Sequence, residues 1–357
     1  MKKLNYLFSI AAIAFAMVMV SCSSKHDDPI VPEQPKIQDG DDLAAALIEY
    51  SEVINGVPTL TLPAGVKMTM NDALEFDKAV VIKGDPSNPA TIVMDEDANF
   101  TTSSDLVLEG ITFDASAITS DFLVIKASEE KVQKADGTES AYSPLYNIQF
   151  NGVKINALSK SFIKNSDRVL FNLINVNDCV IEIIGNNAIF ALGNGYPAEL
   201  NITNSTIWSK EGHQGFLFQS HGKAVDINPD YKTSWNVDNC TFYQIGVGKK
   251  VNNTNVFKGK NYLVINLSNS ILDDFGSNTG NEVNGWLFGQ NSTAPTITYA
   301  NNTYSKAGEI VAGWTDATKS GSDQTGTAGT VAPNFADAAN GDFTQSGIKA
   351  GDPRWIK

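Results

Sequence analysis

Two of the three histidines lie close together, and histidine is the side chain most easily poised for proton transfer near neutral pH. His213 and His221 bracket a short apolar stretch, residues 215–218, that reads as a strand. If this strand end faces a substrate, either imidazole could serve as a general acid or base. The alternative is that both are solvated turn residues, and the sequence leaves the two interpretations open.

A second set of residues has the chemistry of a polysaccharide lyase. Such an enzyme needs a base to remove the proton beside a sugar carboxylate and a cation to neutralise that carboxylate. Lys164 and Arg168 are candidate bases. Calcium takes about 6 to 8 oxygen ligands, and one loop offers several of them. Its candidate ligands are Asp273, Asp274, Asn278 and Glu282. No other cofactor is expected, since the sequence shows neither a phosphate-binding glycine loop nor a zinc spacing.

A third set consists of aromatic residues near predicted strand ends and loops, where a ring face could stack on a sugar. With one amide, Gln219, the candidates for ligand binding are Trp208, Tyr243, Trp286 and Trp314. Part of this set is expected to be core, because Trp235 falls on an inward position of the repeat described next. These residues favour binding of a polysaccharide.

The elements that must position these residues repeat along the chain. Eight-residue windows share apolar residues at places one, three and eight, with Gly, Asp or Asn at place five. They begin at Leu106, Ile148, Ile174, Leu200, Trp235, Ile265 and Ile297. The residue types at place five tolerate a left-handed backbone, so each window predicts two strands joined by a tight turn. Stacked turns of this kind make an asparagine ladder.

A third strand is predicted between windows. Its members are residues 121–124, 161–164, 187–190, 215–218, 255–257, 285–288 and 309–311. Three short strands per coil predict an all-β fold, a single-stranded right-handed parallel β-helix. Asp41 or Asp42 caps a short N-terminal helix with apolar positions Leu43, Leu47, Tyr50 and Ile54, which covers one end of the core.

The first residues predict export. Residues 7–20 form an apolar run after two lysines, too short for the roughly 20 residues of a membrane span. Met19-Val20-Ser21-Cys22 resembles a bacterial lipobox, which implies acylation of Cys22 and anchoring in the outer membrane. Residues 23–28 are similar to the acidic signal that sends lipoproteins of gut Gram-negative bacteria to the cell surface. The predicted organisation is a signal peptide over 1–21, a flexible tether over 22–40 and the β-helix over 41–357.

Charge excludes one class of partner. The chain has 26 basic and 40 acidic residues, a net charge of −14, and no cluster of Lys and Arg, which argues against nucleic-acid binding. The remaining cysteines, Cys179 and Cys240, occupy place six in coils separated by one coil. Two strand spacings amount to about 9.6 Å, beyond the roughly 7 Å that a disulfide spans. We therefore expect two free thiols buried as small core fillers.

The chain resembles the pectate-lyase-like superfamily over nearly its whole mature length. The resemblance is carried by residues 62–65 (Leu-Pro-Ala-Gly), 81–84 (Val-Ile-Lys-Gly), the coil windows and the closing 334–337 and 340–343. The ending Gly351-Asp352-Pro353-Arg354-Trp355 looks like that of surface lipoproteins encoded beside glycan-uptake genes in gut bacteria. The resemblance implies a binding face on the sheet formed by the third strands, where enzymes of the superfamily accept polyuronates.

The function expected from these observations is non-catalytic polysaccharide binding by a monomeric, surface-exposed lipoprotein. One alternative is a calcium-dependent lyase or a glycoside hydrolase acting on a polyuronate, since Ser220-His221-Gly222 is similar to a polygalacturonase motif. That motif lacks its paired aspartate here, and a hydrolase needs two carboxyl groups flanking the bond. The other alternative is a structural or adhesive surface protein.

Overall fold

The computed structural model describes residues 36–220, 232–248, 251–253, 263–276, 296–305 and 323–357. Within these residues the chain winds through three sheets, and successive coils pair strand on strand in parallel as in a parallel β-helix. The exception is the first strand, Glu52–Ile54, which pairs antiparallel with Val57–Thr61. The hydrogen-bonded ladders continue through the middle of the chain, where Tyr196–Thr203 pairs with Thr233–Asp238.

The first sheet precedes the tight turn of each coil. In the described chain its strands are Glu52–Ile54, Val57–Thr61, Val80–Lys83, Leu106–Glu109, Ser143–Asn151, Val169–Asn177, Tyr196–Thr203, Thr233–Asp238, Leu263–Ser268 and Thr296–Ala300. The second sheet follows the turn, with Lys67–Met70, Ala90–Met94, Ile111–Asp114, Lys154–Leu158, Val180–Ile183, Thr206–His213, Thr241–Ile245, Ile271–Asp273 and Thr303–Ser305. The third sheet comprises Leu74–Phe76, Phe100–Thr102, Leu123–Ile125, Ile163–Asn165, Phe190–Gly193, Phe218–Ser220 and Asn252–Asn253.

The predicted turn between the first and second sheets is confirmed at every window. All seven place-five residues have left-handed backbone, with φ between 49° and 61°. They are Gly110, Gly152, Asp178, Asn204, Asn239, Asn269 and Asn301. Two place-five side chains are hydrogen-bonded directly, since the side-chain amide of Asn301 donates to the side-chain oxygen of Asn269 at 3.1 Å. A longer asparagine ladder lies on the outward face of the first sheet, where Asn266 donates to Asn236 and Asn236 donates to Asn201.

The predicted inward stacks are also confirmed. Places three and eight are buried in every coil, and so is Trp235, whose ring lies 4.5 Å from that of Phe218. A column of phenylalanines fills the middle of the core, with neighbouring ring centroids 4.5 to 6.4 Å apart at Phe122, Phe150 and Phe162. This continuous apolar core is what stacking of coils supplies and a single coil cannot.

Place six carries short side chains, and its serine hydroxyls accept hydrogen bonds from backbone amides of the preceding coil. The amide of Cys179 donates to Ser205 Oγ at 3.0 Å, and the amide of Cys240 donates to Ser270 Oγ at 3.1 Å. Both thiols are free and buried, as predicted, with Ser205 between them in the ladder. Burial raises the pKa of Cys179 to about 12 and also raises the pKa of Cys240.

The capping helix spans Leu43–Tyr50, and Asp42 is its N-cap, accepting from the amide of Ala45 at 3.1 Å. Ile54 was predicted to extend the apolar stripe of this helix, but it lies 40% exposed in an antiparallel hairpin. The reason is the turn at Asn55 and Gly56, both with positive φ, which closes a two-residue hairpin. Among the described residues, no helix is long and apolar enough to span a membrane.

Two features of the coils differ from prediction. Four described strands of the third sheet begin two or three residues later than predicted, at Leu123, Ile163, Phe190 and Phe218, whereas the strand Asn252–Asn253 begins three residues before the predicted 255–257. Complete coils also begin at Val57, well before the first predicted window at Leu106, although the sequence does predict separate strands within residues 59–65 and 79–84. The predicted third strands at 255–257, 285–288 and 309–311 lie outside the described residues.

Candidate functional site

Residues 335–357, here called the C-terminal segment, pack on the outward face of the second sheet. Thr206 and Thr241 point outward on neighbouring coils, yet both are 1% exposed or less because this segment covers them. Thr206 Oγ1 donates to the Asp352 carboxylate at 2.8 Å, and the Asp352 amide donates to Thr241 Oγ1 at 3.1 Å. The sheet therefore presents two hydroxyls that fix the segment across adjacent coils.

Arg354 joins the C-terminal segment to the turns of two coils. Its Nε lies 2.9 Å from the buried carboxylate of Asp352. Its terminal nitrogen donates to the Asp178 carboxylate at 2.6 Å and to the carbonyl of Asn204 at 3.1 Å. Burial raises the pKa of Asp352, while the adjacent guanidinium and the Thr206 hydroxyl oppose that rise.

An aromatic cluster forms under the segment. Phe343 is fully buried, with its ring centroid 5.7 Å from Trp208 and 5.5 Å from Tyr243. Phe335 and Trp355 pack against the same ring at 5.1 Å and 5.9 Å. Trp208 is 6% exposed, so most of its ring serves to hold the segment and little is left for a ligand.

A groove of about 410 Å³ lies between this segment and the second sheet, within the range of small-molecule sites. The sheet contributes Lys154, Asn156, Val180, Glu182, Trp208 and Lys210. The segment contributes Ala339, Asn340, Gly341, Arg354 and Trp355. The groove thus combines an aromatic wall with amides and charged groups, the composition that carbohydrate rings require.

Trp355 is held in one orientation at the groove wall. Its Nε1 donates to Thr206 Oγ1 at 2.8 Å, so a chain of hydrogen bonds runs from the indole through Thr206 to Asp352. The ring remains partly exposed. A pinned ring loses little conformational entropy when a ligand stacks on it.

Polar groups surround that ring. Glu182 accepts a hydrogen bond from the amide of Ala157 at 3.0 Å, which fixes one carboxylate oxygen. Lys154 and Lys210 are exposed. These side chains can donate to and accept from sugar hydroxyls.

The third sheet holds two of the other predicted residues. On its outward face Lys164, Ala191 and Gln219 occupy one row in three successive coils. Arg168 is exposed shortly after the strand that carries Lys164.

The predicted lyase residues lie on different faces. Asp273 belongs to the second sheet, in register with Tyr243, whereas Lys164 belongs to the third sheet. Asp274 is 8% exposed with φ 53°. Within the described residues there is no group of three or more His, Cys, Asp or Glu placed to hold a metal ion.

His213 is a core residue, which corrects the expectation of a solvated turn. It is 1% exposed, because the strand Thr206–His213 carries it inward. Its Nε2 lies 2.8 Å from the carbonyl oxygen of Asn187, and its Nδ1 lies 3.4 Å from the amide nitrogen of Gly246. Burial lowers its pKa. With both ring nitrogens engaged, His213 bridges coils and offers no nitrogen to a substrate.

Several predicted residues lie outside the described part of the chain. They are Cys22, His221, Asn278, Glu282, Trp286 and Trp314.

Two families match successive stretches of the chain. A domain of unknown function (DUF4957) matches residues 67–210, and a second domain of unknown function (DUF5123) matches residues 235–355. No curated protein matches the chain. The groove draws its sheet residues from the first stretch and its segment residues from the second, so it lies where the two matched stretches meet.

The sequence predicts ligand binding by Trp208, but its ring is 6% exposed and packs under the C-terminal segment. The residues that surround it in the groove were not predicted. Lys154, Glu182 and Lys210 occupy outward strand positions, which alternation with buried neighbours identifies only as exposed. Trp355 had a signal, because it ends the Gly-Asp-Pro-Arg-Trp motif. A motif that includes a buried aspartate and an arginine indicates docking on another part of the chain.

Proposed function

We propose that this protein binds polysaccharide without cleaving it, and that the groove between the second sheet and the C-terminal segment is its binding site. The observation that carries the proposal is the pinned, partly exposed indole of Trp355 in a groove of about 410 Å³ with amides and charged groups around it. An aromatic face with a polar rim suits a pyranose, whose faces are apolar and whose edge carries hydroxyls.

The supporting contacts make the site rigid before a ligand arrives. Trp355 is fixed through Thr206, and Arg354 is fixed by two carboxylates. Binding to such a site loses less free energy to ordering than binding to flexible loops. A rigid groove on a β-helix face is suited to an extended chain whose ends protrude into solvent.

We further propose that the protein is a lipoprotein anchored through Cys22 in the outer membrane and displayed on the cell surface, as the lipobox resemblance suggests. The tether over 22–40 would place the groove away from the membrane. A monomer suffices, since the proposed groove is built from one chain.

Binding can be tested on a glycan array with the full-length protein in mild detergent. Trp355→Ala should weaken retention about tenfold, equal to about 1.4 kcal/mol. Tyr146→Ala is the matched control, because Tyr146 is an aromatic residue 58% exposed on the first sheet. Equal retention by wild type and Trp355→Ala, with loss in Tyr146→Ala, would exclude the groove.

The anchor can be tested by detergent-phase partitioning. Cys22→Ala should move the protein to the aqueous phase, because acyl chains supply the anchoring energy of a lipoprotein. If both proteins enter the detergent phase equally, acylation at Cys22 is not the anchor.

A further inference from the structure

We infer that part of the C-terminal segment is a lip that closes on the bound saccharide, and that Asn340 is the lip residue that bonds a sugar hydroxyl. The lip comprises residues 336–342. The inference rests on the proposed function and adds to that groove a moving part and a ligand-binding residue. It is based on a difference in how the two halves of the segment are attached to the β-helix.

The second half of the segment is bonded firmly to the second sheet. Thr206 donates to the carboxylate of Asp352, and the amide of Asp352 donates to Thr241 on the neighbouring coil. Trp355 donates to Thr206 from its indole nitrogen. The stacking residue of the groove is therefore fixed before a saccharide arrives.

The lip is attached in a different way. In the described chain, every hydrogen bond of residues 336–342 has its partner within residues 336–344. The amides of Asp337 and Asp342 each donate to the carbonyl of the other at 3.0 Å, which closes the lip into a small hairpin. The lip thus keeps its own shape without being hydrogen-bonded to any described residue of the second sheet.

Apolar packing places the lip against the sheet. Phe343, which directly follows the lip, is fully buried against Trp208, and Ala338 packs on the same cluster. Gly341 lies so close to the indole of Trp208 that a Cβ built on it would be 3.0 Å from Cζ2. Packed apolar surfaces can slide by small amounts without breaking a hydrogen bond. The lip can therefore move while its base stays packed.

Asn340 gives the lip a group suited to a saccharide. It is exposed and lines the groove between Ala339 and Gly341. Its Nδ2 donates one hydrogen to the carboxylate of Asp337 at 2.7 Å. The second hydrogen and the side-chain oxygen have no partner among the described residues, so a sugar hydroxyl can accept from one or donate to the other. A saccharide that stacks on Trp355 and bonds Asn340 stabilises the closed position of the lip, because it contacts both halves of the segment.

The hydrogen bond can be tested by affinity, with the full-length protein and the array oligosaccharide that the wild type retains most strongly. Asn340→Ala should weaken retention about fivefold, the effect of losing one hydrogen bond. Asp337→Ala is the matched control, because it removes the same hydrogen bond within the lip from a residue that does not line the groove. The control should weaken retention less than twofold. Equal weakening by the two variants would make the role of Asn340 structural and overturn the inference.

Closure can be tested by electron paramagnetic resonance, as the distance between one spin label on the lip and one on the second sheet outside the groove. Ala336→Cys and Lys67→Cys introduce the two labels at exposed positions. A Cys22→Ala background leaves Cys179 and Cys240 as the native thiols, and both are buried. A saturating concentration of the same oligosaccharide should shift the distance distribution and narrow it. An unchanged distribution at saturation would show that the lip is a fixed wall and overturn the inference.

These outcomes differ from failure of the function on which the inference rests. If the array retains no oligosaccharide at all, polysaccharide binding is refuted and the inference with it. If Trp355→Ala weakens retention and Asn340→Ala does not, the groove remains the binding site and the lip has no part in binding.

Discussion

Replacing Arg354 by Ala should release the C-terminal segment and leave the β-helix folded. The side chain of Asp352 is 1% exposed and its partner Arg354 is 27% exposed, so the pair is largely removed from water. Breaking a buried pair by removing one partner costs about 3 to 5 kcal/mol, because the other charge stays buried. Asp352 keeps its bonds from the Thr206 hydroxyl and from the backbone amide of residue 354, so we expect the lower figure, about 3 kcal/mol.

The lost free energy weakens packing of the C-terminal segment on the second sheet, and hydrogen exchange of the segment's backbone amides measures that loss. About 3 kcal/mol corresponds to roughly a hundredfold shift in an opening equilibrium. The amides of Gln345 and Gly351, which donate to Trp355 and Asn269, should therefore exchange roughly a hundredfold faster in Arg354→Ala. Amides of the inner strand Val169–Asn177 should be unaffected.

The second ion pair of Arg354, with the exposed Asp178, provides the control. Asp178 is 61% exposed, and an exposed ion pair is worth at most about 1 kcal/mol, so Asp178→Asn should accelerate the same amides less than tenfold. If Arg354→Ala leaves these exchange rates unchanged, the C-terminal segment is not held on the second sheet by the ion pair between Arg354 and Asp352.

Three further predictions concern the β-helix itself. Burial lowers the pKa of His213 below the unfolded value of about 6.5, so its contribution to the free energy of unfolding should be fully present above that pH and be lost as the pH falls below it. Urea unfolding between pH 5 and 8 should show this pH dependence in the wild type and a weaker one in His213→Gln. With the N-terminal cysteine removed, thiol titration should detect almost nothing in the native protein and both Cys179 and Cys240 after denaturation without reductant; no thiol after denaturation would indicate a disulfide. Gly110→Asn should destabilise the protein by about 2 kcal/mol, since a Cβ there lies 2.8 Å from a backbone oxygen, whereas Gly152→Asn meets no atom closer than 3.9 Å and should be tolerated in a thermal melt.

The coil architecture could be predicted because each of the seven windows contains the same sharp turn between two strands. A strand that turns sharply needs a residue with left-handed backbone, and Asn, Asp and Gly supply it at low steric cost. That requirement recurs in the sequence at Asp178, Asn204 and Asn239 and fixes the register of the apolar positions around it. The two free cysteines followed from the same register.

In the first coils the sequence predicts strands within residues 59–65 and 79–84, and the structure has Val57–Thr61 and Val80–Lys83 there. The coil repeat itself was not recognised in this part because its turns are built differently. Gly84 stands where the next coil has Gly110, but its φ is not in the left-handed region, and the backbones of the two glycines approach closely. The apolar pattern of Lys67–Met70 and Ala90–Met94 is too short to distinguish from other strand pairs without that turn.

The site could be predicted only in part, because it depends on contacts between distant residues. Thr206 and Asp352 are 146 positions apart and share no periodic pattern. Trp208 was found from its type and its place after a strand, but its burial depends on Phe343 from the C-terminal segment. His213 shows the same limit, since the sequence does not reveal the irregular pairing between Trp208 and His213 that precedes its buried position.

A crystal structure of the protein with the oligosaccharide that it retains most tightly would test the location of the binding site most directly. If the groove is the binding site, a sugar ring will stack on Trp355, with the chain running between Lys154 and Lys210 along the C-terminal segment. A sugar chain bound instead on the outward face of the third sheet, over Lys164 and Gln219, would contradict it.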